Sequence, residues 1–171
     1  IINDPSSTNR KLSLYVVSED SNGNLTLAND TTKNNLKVWL NKNRMLNDSI
    51  EITDVKIVNL GIDYIITVDP SYDKFGVLSA VNNKIKSNFL NDKMYIGEPL
   101  YVSKLFSLVN KIPGVIDTKK IVFSVKNTSG YSSVNVDIDD LYSADGSYLK
   151  APKNVVFEIK FPSKDIRGSV Q

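Results

Sequence analysis

The chain has 171 residues, with 21 lysines and arginines against 19 aspartates and glutamates and a formal net charge of +2. A balance this close to neutral does not predict a nucleic-acid or acidic-membrane partner. The chain has no cysteine and no histidine, which excludes disulfides, zinc–thiolate sites, cysteine nucleophiles and histidine-dependent catalytic triads. Its length predicts one domain, with at most a small appendage.

The opening residues do not predict a signal peptide or a membrane-spanning helix. They lack the pattern of a signal peptide, and no apolar run approaches the ~20 residues that a membrane-spanning helix requires. The chain opens at Ile1-Ile2-Asn3-Asp4 without a methionine, so we expect a piece of a longer protein. Residues 1–11 are polar and contain Pro5, which predicts a tail or linker.

A strand and an amphipathic helix are predicted next. Residues 12–17 alternate apolar and polar side chains, as in a half-buried strand. Asp30 or Thr31 is predicted to cap the helix that follows. One face of that helix is predicted to hold three apolar residues, Leu36, Trp39 and Leu40.

Residues 49–69 predict a hairpin. Its first strand, 49–59, changes the parity of its apolar positions, which indicates a bulge near Thr53-Asp54. Leu60-Gly61 is predicted to be the tight turn, and the return strand alternates as far as Val68.

Two helices and a long strand follow. The spacing predicts a helix over 74–90 with a core-facing stripe, and a second helix over 100–112. The stripe of the first helix is Leu78, Val81, Ile85 and Phe89, and that of the second is Tyr101, Leu105, Leu108 and Ile112. Pro113-Gly114 ends the second helix, and an alternating strand is predicted over 115–126.

The order of these elements predicts an α+β fold. Strand, helix, two strands, a doubled helix and a strand match the ferredoxin-like split β-α-β arrangement, an antiparallel sheet with helices on one face. We therefore predict a ferredoxin-like domain over residues 12–126.

The last third, 127–171, has no helical periodicity. It predicts a β-rich appendage that extends the sheet or reaches a neighbour, and that ends in a tail from Ile166 to Gln171. Within it we expect an exposed strand over 134–138, a hairpin at Asp145-Gly146 and a strand over 155–161.

No catalytic or metal-binding site is predicted. Four aspartates, Asp137, Asp139, Asp140 and Asp145, could supply oxygen ligands to calcium, but they lack the spacing of an EF-hand and are better explained as a solvated strand and turn. No motif activates the serines, and no glycine-rich phosphate loop is present. We therefore predict a protein that is not an enzyme and holds no cofactor.

Aromatic side chains of the last third predict an interface. Tyrosine and phenylalanine are enriched at the centre of interfaces, and a long edge strand such as 155–161 tends to pair with another chain. The predicted interface residues are Tyr142, Tyr148, Phe157, Ile159 and Phe161. The alternative is that these side chains cover the sheet of their own chain.

The stretch from Tyr95 to Val125 carries a resemblance to a known family. It reads Y-I-G-E-P-L-Y-V-S-K-L-F-S-L-V-N-K-I-P-G-V-I-D-T-K-K-I-V-F-S-V. Its Ile-Gly-Glu opening, short amphipathic helix and Pro-Gly-Val exit resemble the C-terminal part of baseplate J-like proteins. The likeness begins near Leu36 and includes Arg44 through Ile52, where that family has a helix, an arginine, a short turn and a strand.

The resemblance implies a structural function. Baseplate J-like proteins are wedge components of contractile phage tails, so it implies a virion protein that is assembled in the host cytoplasm. The implied partners are further copies of itself and other wedge proteins, in a ring around the tail hub, with no nucleic acid and no membrane. The residues alone leave two alternatives open: a small-ligand-binding regulatory module on a ferredoxin-like sheet, and a secreted adhesin-like β module.

Overall fold

The computed structural model describes residues 2–3, 10–43, 48–91 and 93–171. The chain divides into two compact units, 1–56 and 57–171. This division differs from the predicted boundaries at 11/12 and 126/127. Most of the predicted linker, and the stretch from Arg44 to Asn47 that contributes to the family resemblance, lie outside the described residues.

The first unit is a three-stranded sheet with one helix and a small hairpin. Its central strand pairs antiparallel with the first strand and parallel with the last. The parallel pair is possible because the helix carries the chain back to the starting end of the sheet. The elements are β1 (Ile2–Asn3), β2 (Arg10–Val16), β3 (Ser18–Glu19), β4 (Leu25–Thr26), α1 (Asp30–Lys42) and β5 (Asp48–Asp54).

The predicted helix of this unit is confirmed, but its cap and its face differ from expectation. Asn29, and neither Asp30 nor Thr31, is the N-cap, because its side-chain oxygen accepts a hydrogen bond from the Thr31 amide at 2.8 Å. No residue of α1 is buried, and Trp39 is 61% exposed. The i, i+3, i+4 spacing identified an amphipathic helix, but it did not determine how deeply the apolar face is covered.

The second unit contains the remaining elements. Its first strand begins at Lys56, the last residue of the first unit, and otherwise belongs to the second. In chain order the elements are β6 (Lys56–Val68), α2 (Lys74–Asn91), β7 (Leu100–Tyr101), α3 (Val102–Asn110), β8 (Val115–Val125), α4 (Ile138–Leu141), β9 (Tyr148–Leu149), β10 (Val155–Glu158), α5 (Pro162–Asp165) and β11 (Ile166–Val170).

The long strand β6 is the centre of the second unit. It pairs antiparallel with β8, parallel with β11, and also with β10. Alternate side chains of β6 are buried together with the apolar stripes of α2 and α3, so both helices cover the same face of the sheet. The shared core includes Leu60, Ile62, Tyr64 and Ile66 of β6, Val81 and Ile85 of α2, and Leu105 and Val109 of α3.

The predicted hairpin over 49–69 is wrong. Leu60 and Gly61 lie inside the continuous strand β6, while β5 pairs with β2 in a separate sheet. Gly61 pairs with Ser124 of β8 inside the sheet, and a Cβ at this position would meet only the flexible end of the Lys126 side chain and the Ser124 hydroxyl. A glycine inside a strand has the same sequence signal as a glycine that makes a turn.

The α+β class is confirmed, whereas the specific ferredoxin-like arrangement is not. A ferredoxin-like sheet would place the first predicted strand beside the later ones, but β2 pairs only with β1 and β5 among the described strands. In the last third, β10 and β11 extend the sheet of β6, which is one of the two roles that the prediction left open for this region.

The individual elements agree to different degrees. The predictions for α2 and β8 are confirmed nearly to the residue, whereas α3 is shorter than predicted and buries Val102, Leu105 and Val109. The hairpin at Asp145-Gly146 is confirmed by an antiparallel bridge between Tyr142 and Leu149. The strand expected over 134–138 is absent from that described segment. The predicted tail after Ile166 is instead the strand β11.

Candidate interaction surfaces

The Ile-Gly-Glu opening of the motif forms a tight turn in front of α3. Gly97 has a positive φ of 75°, and the amide of Glu98 donates to the carbonyl of Tyr95 at 3.1 Å. The carboxylate of Glu98 accepts a hydrogen bond from the Tyr95 amide at 2.8 Å, and the Gly97 amide donates to the carbonyl of Val155 at 2.8 Å. The turn is thus fixed to the strand β10, and it holds the Tyr95 side chain 78% exposed.

A pair of tyrosines adjoins this turn. The short strands β7 and β9 pair antiparallel and bring Tyr101 opposite Tyr148. Their ring centroids are 5.6 Å apart at an interplanar angle of 44°. Tyr101 is 48% exposed, so it does not face the core as the predicted helical stripe required.

A small cavity lies between the end of α2, the turn and the start of α3. Its volume is about 50 Å³, and its lining is mainly apolar, with two lysines and a glutamate at the rim. The apolar lining includes Phe89, Met94, Pro99, Leu105 and Leu108.

A second, wider groove of about 390 Å³ lies between α2 and the segment around α5. Phe75 stands at this groove and is 82% exposed, and the groove is also lined by Leu78 of α2, Pro162 and Ile166. Lys86 reaches across it, with Nζ 3.4 Å from the hydroxyl of Ser163. The remaining lining residues, Ser79, Asn82, Asn83, Lys86 and Ser163, are polar, so Phe75 is an exposed apolar side chain beside a concavity of mixed polar and apolar lining.

Next to this groove, a buried carboxylate ties the loop before α4 to α5. Asp165 is 3% exposed, and it accepts hydrogen bonds from the Tyr131 hydroxyl and, at 2.9 Å, from the Phe161 amide. The rings of Tyr131 and Phe161 meet edge to face at 5.3 Å, and Lys164 lies over the Tyr131 ring. Burial, together with the hydrogen bond to Asp165, raises the pKa of Tyr131 to about 12.

We expect Tyr131→Phe to lower the free energy of unfolding by about 1.5 kcal/mol at neutral pH, because the buried Asp165 loses a hydrogen-bond donor. In the folded state the pKa of Tyr131 lies above its ordinary value near 10. The stabilisation by the Tyr131 hydroxyl is therefore fully present below pH 10 and is lost as the pH rises towards 12. The difference between wild type and variant should therefore shrink across that window. Urea denaturation at several pH values measures it, and a difference that stays constant from pH 8 to 12 would contradict this assignment.

The five predicted interface residues do not form one surface. Phe157 is 2% exposed and belongs to the core of its own chain, so its assignment to an interface is corrected. Ile159 and Tyr142 are half-buried against that core, and the Tyr142 hydroxyl accepts a hydrogen bond from the Phe123 amide of β8 at 3.4 Å. Tyr148 lies beside Tyr101, and Phe161 is 39% exposed beside Tyr131.

Sequence reasoning missed the two most exposed aromatic side chains, Phe75 and Tyr95. Phe75 lies just outside the core-facing stripe of α2, and Tyr95 precedes a glycine turn. The sequence could have indicated their exposure, because one aromatic residue lies immediately beside a turn and the other lies off the apolar stripe of a helix.

Two acidic residues of the last third stabilise local structure by accepting hydrogen bonds. Asp137 caps α4 by accepting a hydrogen bond from the Asp139 amide at 3.0 Å. Asp145 accepts hydrogen bonds from the hydroxyls of Ser143 and Ser147, which lower its pKa to about 2. Among the described residues, no group of three or more carboxylates could hold a metal ion.

The first unit has a polar groove of about 650 Å³ between α1 and β5. Lys33 lines it and forms ion pairs with Asp30 at 2.9 Å and Asp54 at 2.8 Å. Hydrogen bonds to Asp54 and Asp30 raise the pKa of Lys33. These charges pair with one another, so the groove offers little electrostatic selectivity to a ligand.

Comparison of the sequence with known families and curated proteins does not place the chain in a family. No protein-family model matches the chain, and no curated protein sequence matches it. Within the part of the chain that the structure describes, no helix has the length and apolar character needed to cross a membrane.

Proposed function

We propose that this chain is a structural assembly domain of a contractile phage tail baseplate. In this proposal it self-associates and binds other wedge proteins to form a ring around the tail hub, and it is not an enzyme. Within the baseplate J-like family, the segment from Asn154 to Gly168 is similar to the end of the wedge protein of T-even-like myophages, the product of gene six. The proposed place of the chain is the C-terminal domain of such a protein.

The observation that carries the proposal is the exposure of large apolar side chains on the second unit. The clearest case is Phe75, which is 82% exposed and lines the groove between α2 and α5. Large aromatic side chains are enriched at the centre of protein–protein interfaces. Two of the residues that carry the resemblance, Gly97 and Gly114, have positive φ and form turns before and after α3, which suits their place in the motif.

The proposal does not depend on a ferredoxin-like arrangement. That arrangement would be a further proposal, and the direct parallel pairing of β2 with β5 departs from it. The second unit keeps one of its features, a sheet with α2 and α3 on one face.

We propose the groove between α2 and α5 as the contact for self-association. The protruding Phe75 and the concavity beside it lie on the same face, so a two-fold-related copy could place its Phe75 in the groove of the first, and the reverse. The exposed Phe161 precedes Pro162, which lines this groove. No comparable observation favours the alternative of a small-ligand module. The cavity beside the Gly97 turn measures only about 50 Å³, against roughly 300 Å³ or more for typical ligand sites, and Lys33 in the larger groove of the first unit is already paired with Asp30 and Asp54.

Light scattering across a wide concentration range tests this contact. We expect a dimer or larger species that dissociates on dilution. Phe75→Ser should weaken association at least roughly fivefold, as for a residue at the centre of an interface. Ile116→Ser, which removes another exposed apolar side chain, is the matched control and should leave the mass unchanged. Equal masses for wild type and Phe75→Ser at every concentration would contradict the proposed contact.

A further inference from the structure

The outer edge of β11 is open to a further strand. Among the described strands, β11 pairs only with β6, in an unbroken parallel register along all 5 of its residues. Just after β11, the Gln171 amide donates to the Ile66 carbonyl of β6 at 3.0 Å. Backbone groups of successive residues point to opposite sides of a strand. The amides and carbonyls of Gly168 and Val170 therefore point away from β6.

The opposite edge of the same sheet, formed by β8, is protected against pairing. Its register with β6 is interrupted by shifts at two places, and it carries two adjacent exposed lysines, Lys119 and Lys120. Its Phe123 amide donates to the Tyr142 hydroxyl at 3.4 Å, so a side chain occupies that donor. Bulges, lysines and covering groups are usual means by which proteins keep an edge strand from pairing with another chain.

The strand β11 has none of these protections. Its register with β6 has no shift, and its sequence, I-R-G-S-V, contains neither lysine nor proline. Its one charged residue, Arg167, lies opposite Asp63 of β6. A regular edge strand without such protection is a template for another strand, and pairing of backbones is a recurring mode of protein association.

We propose that β11 pairs antiparallel with β11 of a second copy, about a two-fold axis at Gly168, so that the two sheets form one continuous sheet. In this register each Gly168 amide donates to the Gly168 carbonyl of the other copy, and each Val170 amide donates to the Ile166 carbonyl. Arg167 then lies opposite Ser169, so no like charges face each other. This inference rests on the self-association in the proposed function, and it specifies how that contact is made.

The position of Phe75 identifies the second strand as that of another copy. The groove between α2 and α5, here called the Phe75 groove, reaches β11 at Ile166. Because α2 follows β6, it begins near the end of β6, where Val170 of β11 also lies. The two-fold register places Val170 opposite Ile166 of the other copy. The exposed Phe75, near the start of α2, therefore comes next to the groove of the other copy, and one symmetry axis accounts for both contacts.

Hydrogen exchange tests the strand pairing. Exchange is carried out at high protein concentration and at a dilution where light scattering gives the mass of a monomer, and it is then quenched and measured by nuclear magnetic resonance. The amides of Gly168 and Val170 should exchange at least roughly tenfold more slowly in the concentrated protein. The amides of Arg167 and Ser169 face β6 in both states, so their rates should not change with dilution.

Two results of this experiment would overturn the proposal. Protection of the Gly168 amide that is equal at every concentration would mean that its own chain covers the edge. A dimer in which the Gly168 and Val170 amides exchange as fast as in the monomer would mean that the copies meet elsewhere.

Disulfide formation tests the register, because the chain has no native cysteine. Arg167→Cys and Ser169→Cys change two exposed residues that face each other across the proposed axis. A mixture of the two variants should cross-link at least roughly fivefold faster than either variant alone, because identical positions lie more than about 7 Å apart in this register. Lys119→Cys, on the edge of β8, is the matched control and should not cross-link. Equal rates for the mixture and the single variants would contradict the register.

Failure of this inference is separable from failure of the proposed function. If the chain dimerises and Phe75→Ser weakens the dimer, but the Gly168 amide is not protected, the strand pairing is wrong and the assembly proposal stands. If the chain remains a monomer at every concentration, self-association is wrong, and the strand pairing is wrong with it.

Discussion

Replacing Gly168 with alanine is expected to lower the free energy of unfolding by about 3 kcal/mol, near the upper end of the range for overpacked cores. Gly168 lies on β11 directly opposite Tyr64 of β6. A Cβ at Gly168 would lie 2.2 Å from Cζ of Tyr64. The Tyr64 ring cannot move aside easily, because it is 2% exposed and its hydroxyl donates to the side chain of Asn82 at 2.9 Å.

Urea denaturation followed by circular dichroism measures this effect. Tryptophan fluorescence does not suffice, because Trp39 lies in the first unit. Ser169→Ala is the control, since the exposed Ser169 side chain lies on the other face of β11, and its effect should stay within about 0.5 kcal/mol. The double variant Gly168→Ala, Tyr64→Leu should lose less free energy of unfolding than the two single variants lose together. We expect the difference to be roughly 1–3 kcal/mol, because the smaller leucine side chain relieves the clash. Additive costs would contradict the steric explanation.

Replacing Asn59 with alanine is expected to cost about 3 kcal/mol. Asn59 is 1% exposed on β6. Its side chain donates to the Glu158 carboxylate at 2.6 Å and accepts from the Ser132 amide at 2.7 Å. Alanine removes both hydrogen bonds at once, and the one to Glu158 is strengthened by its charge.

The same change should also release the loop that Asn59 holds. Hydrogen exchange of the Ser132 amide should become at least tenfold faster relative to the amides of β6, since its acceptor is lost. Asn135→Ala is the matched control, because the Asn135 side chain makes one exposed hydrogen bond, to Asn127 at 3.2 Å. We expect a change within about 0.5 kcal/mol for that variant. Equal effects of the two substitutions would show that Asn59 does not hold the loop.

The fold could be predicted where periodicity was long and regular. The stripe of α2 identified Val81 and Ile85 as core residues, and both are at most 1% exposed. The alternation of Ile121 and Phe123 in β8 likewise identified two side chains of the core. In both cases many residues repeat the same signal, so the prediction does not depend on a single residue.

Prediction failed where one glycine determined the interpretation. Leu60-Gly61 was predicted as a turn, but Gly61 lies inside the strand β6 and pairs with Ser124 of β8. The segment predicted as a tail from Ile166 is instead the strand β11, and its Gly168 is required by the Tyr64 ring. Pairing with a distant strand and packing against a distant ring cannot be read from periodicity.

The candidate surfaces were only partly predictable for a related reason. The alternation in 155–161 correctly marked Phe157 as a residue that loses contact with water, but it could not say whether its own chain or a partner covers it. In the structure its own core covers it. By contrast, Tyr95 was part of the stretch that carried the family resemblance, and its exposure follows from the Gly97 turn rather than from any apolar pattern.

The most direct test of the assembly proposal is electron cryomicroscopy of a phage particle. The particle is the contractile-tailed phage whose genome encodes this chain. The account predicts density for the second unit, with β6 at the centre of its sheet, in repeated copies around the baseplate hub, with the Phe75 groove at a contact between copies. Complete baseplates that contain no density for this unit, or a genome that encodes no contractile tail, would contradict the account.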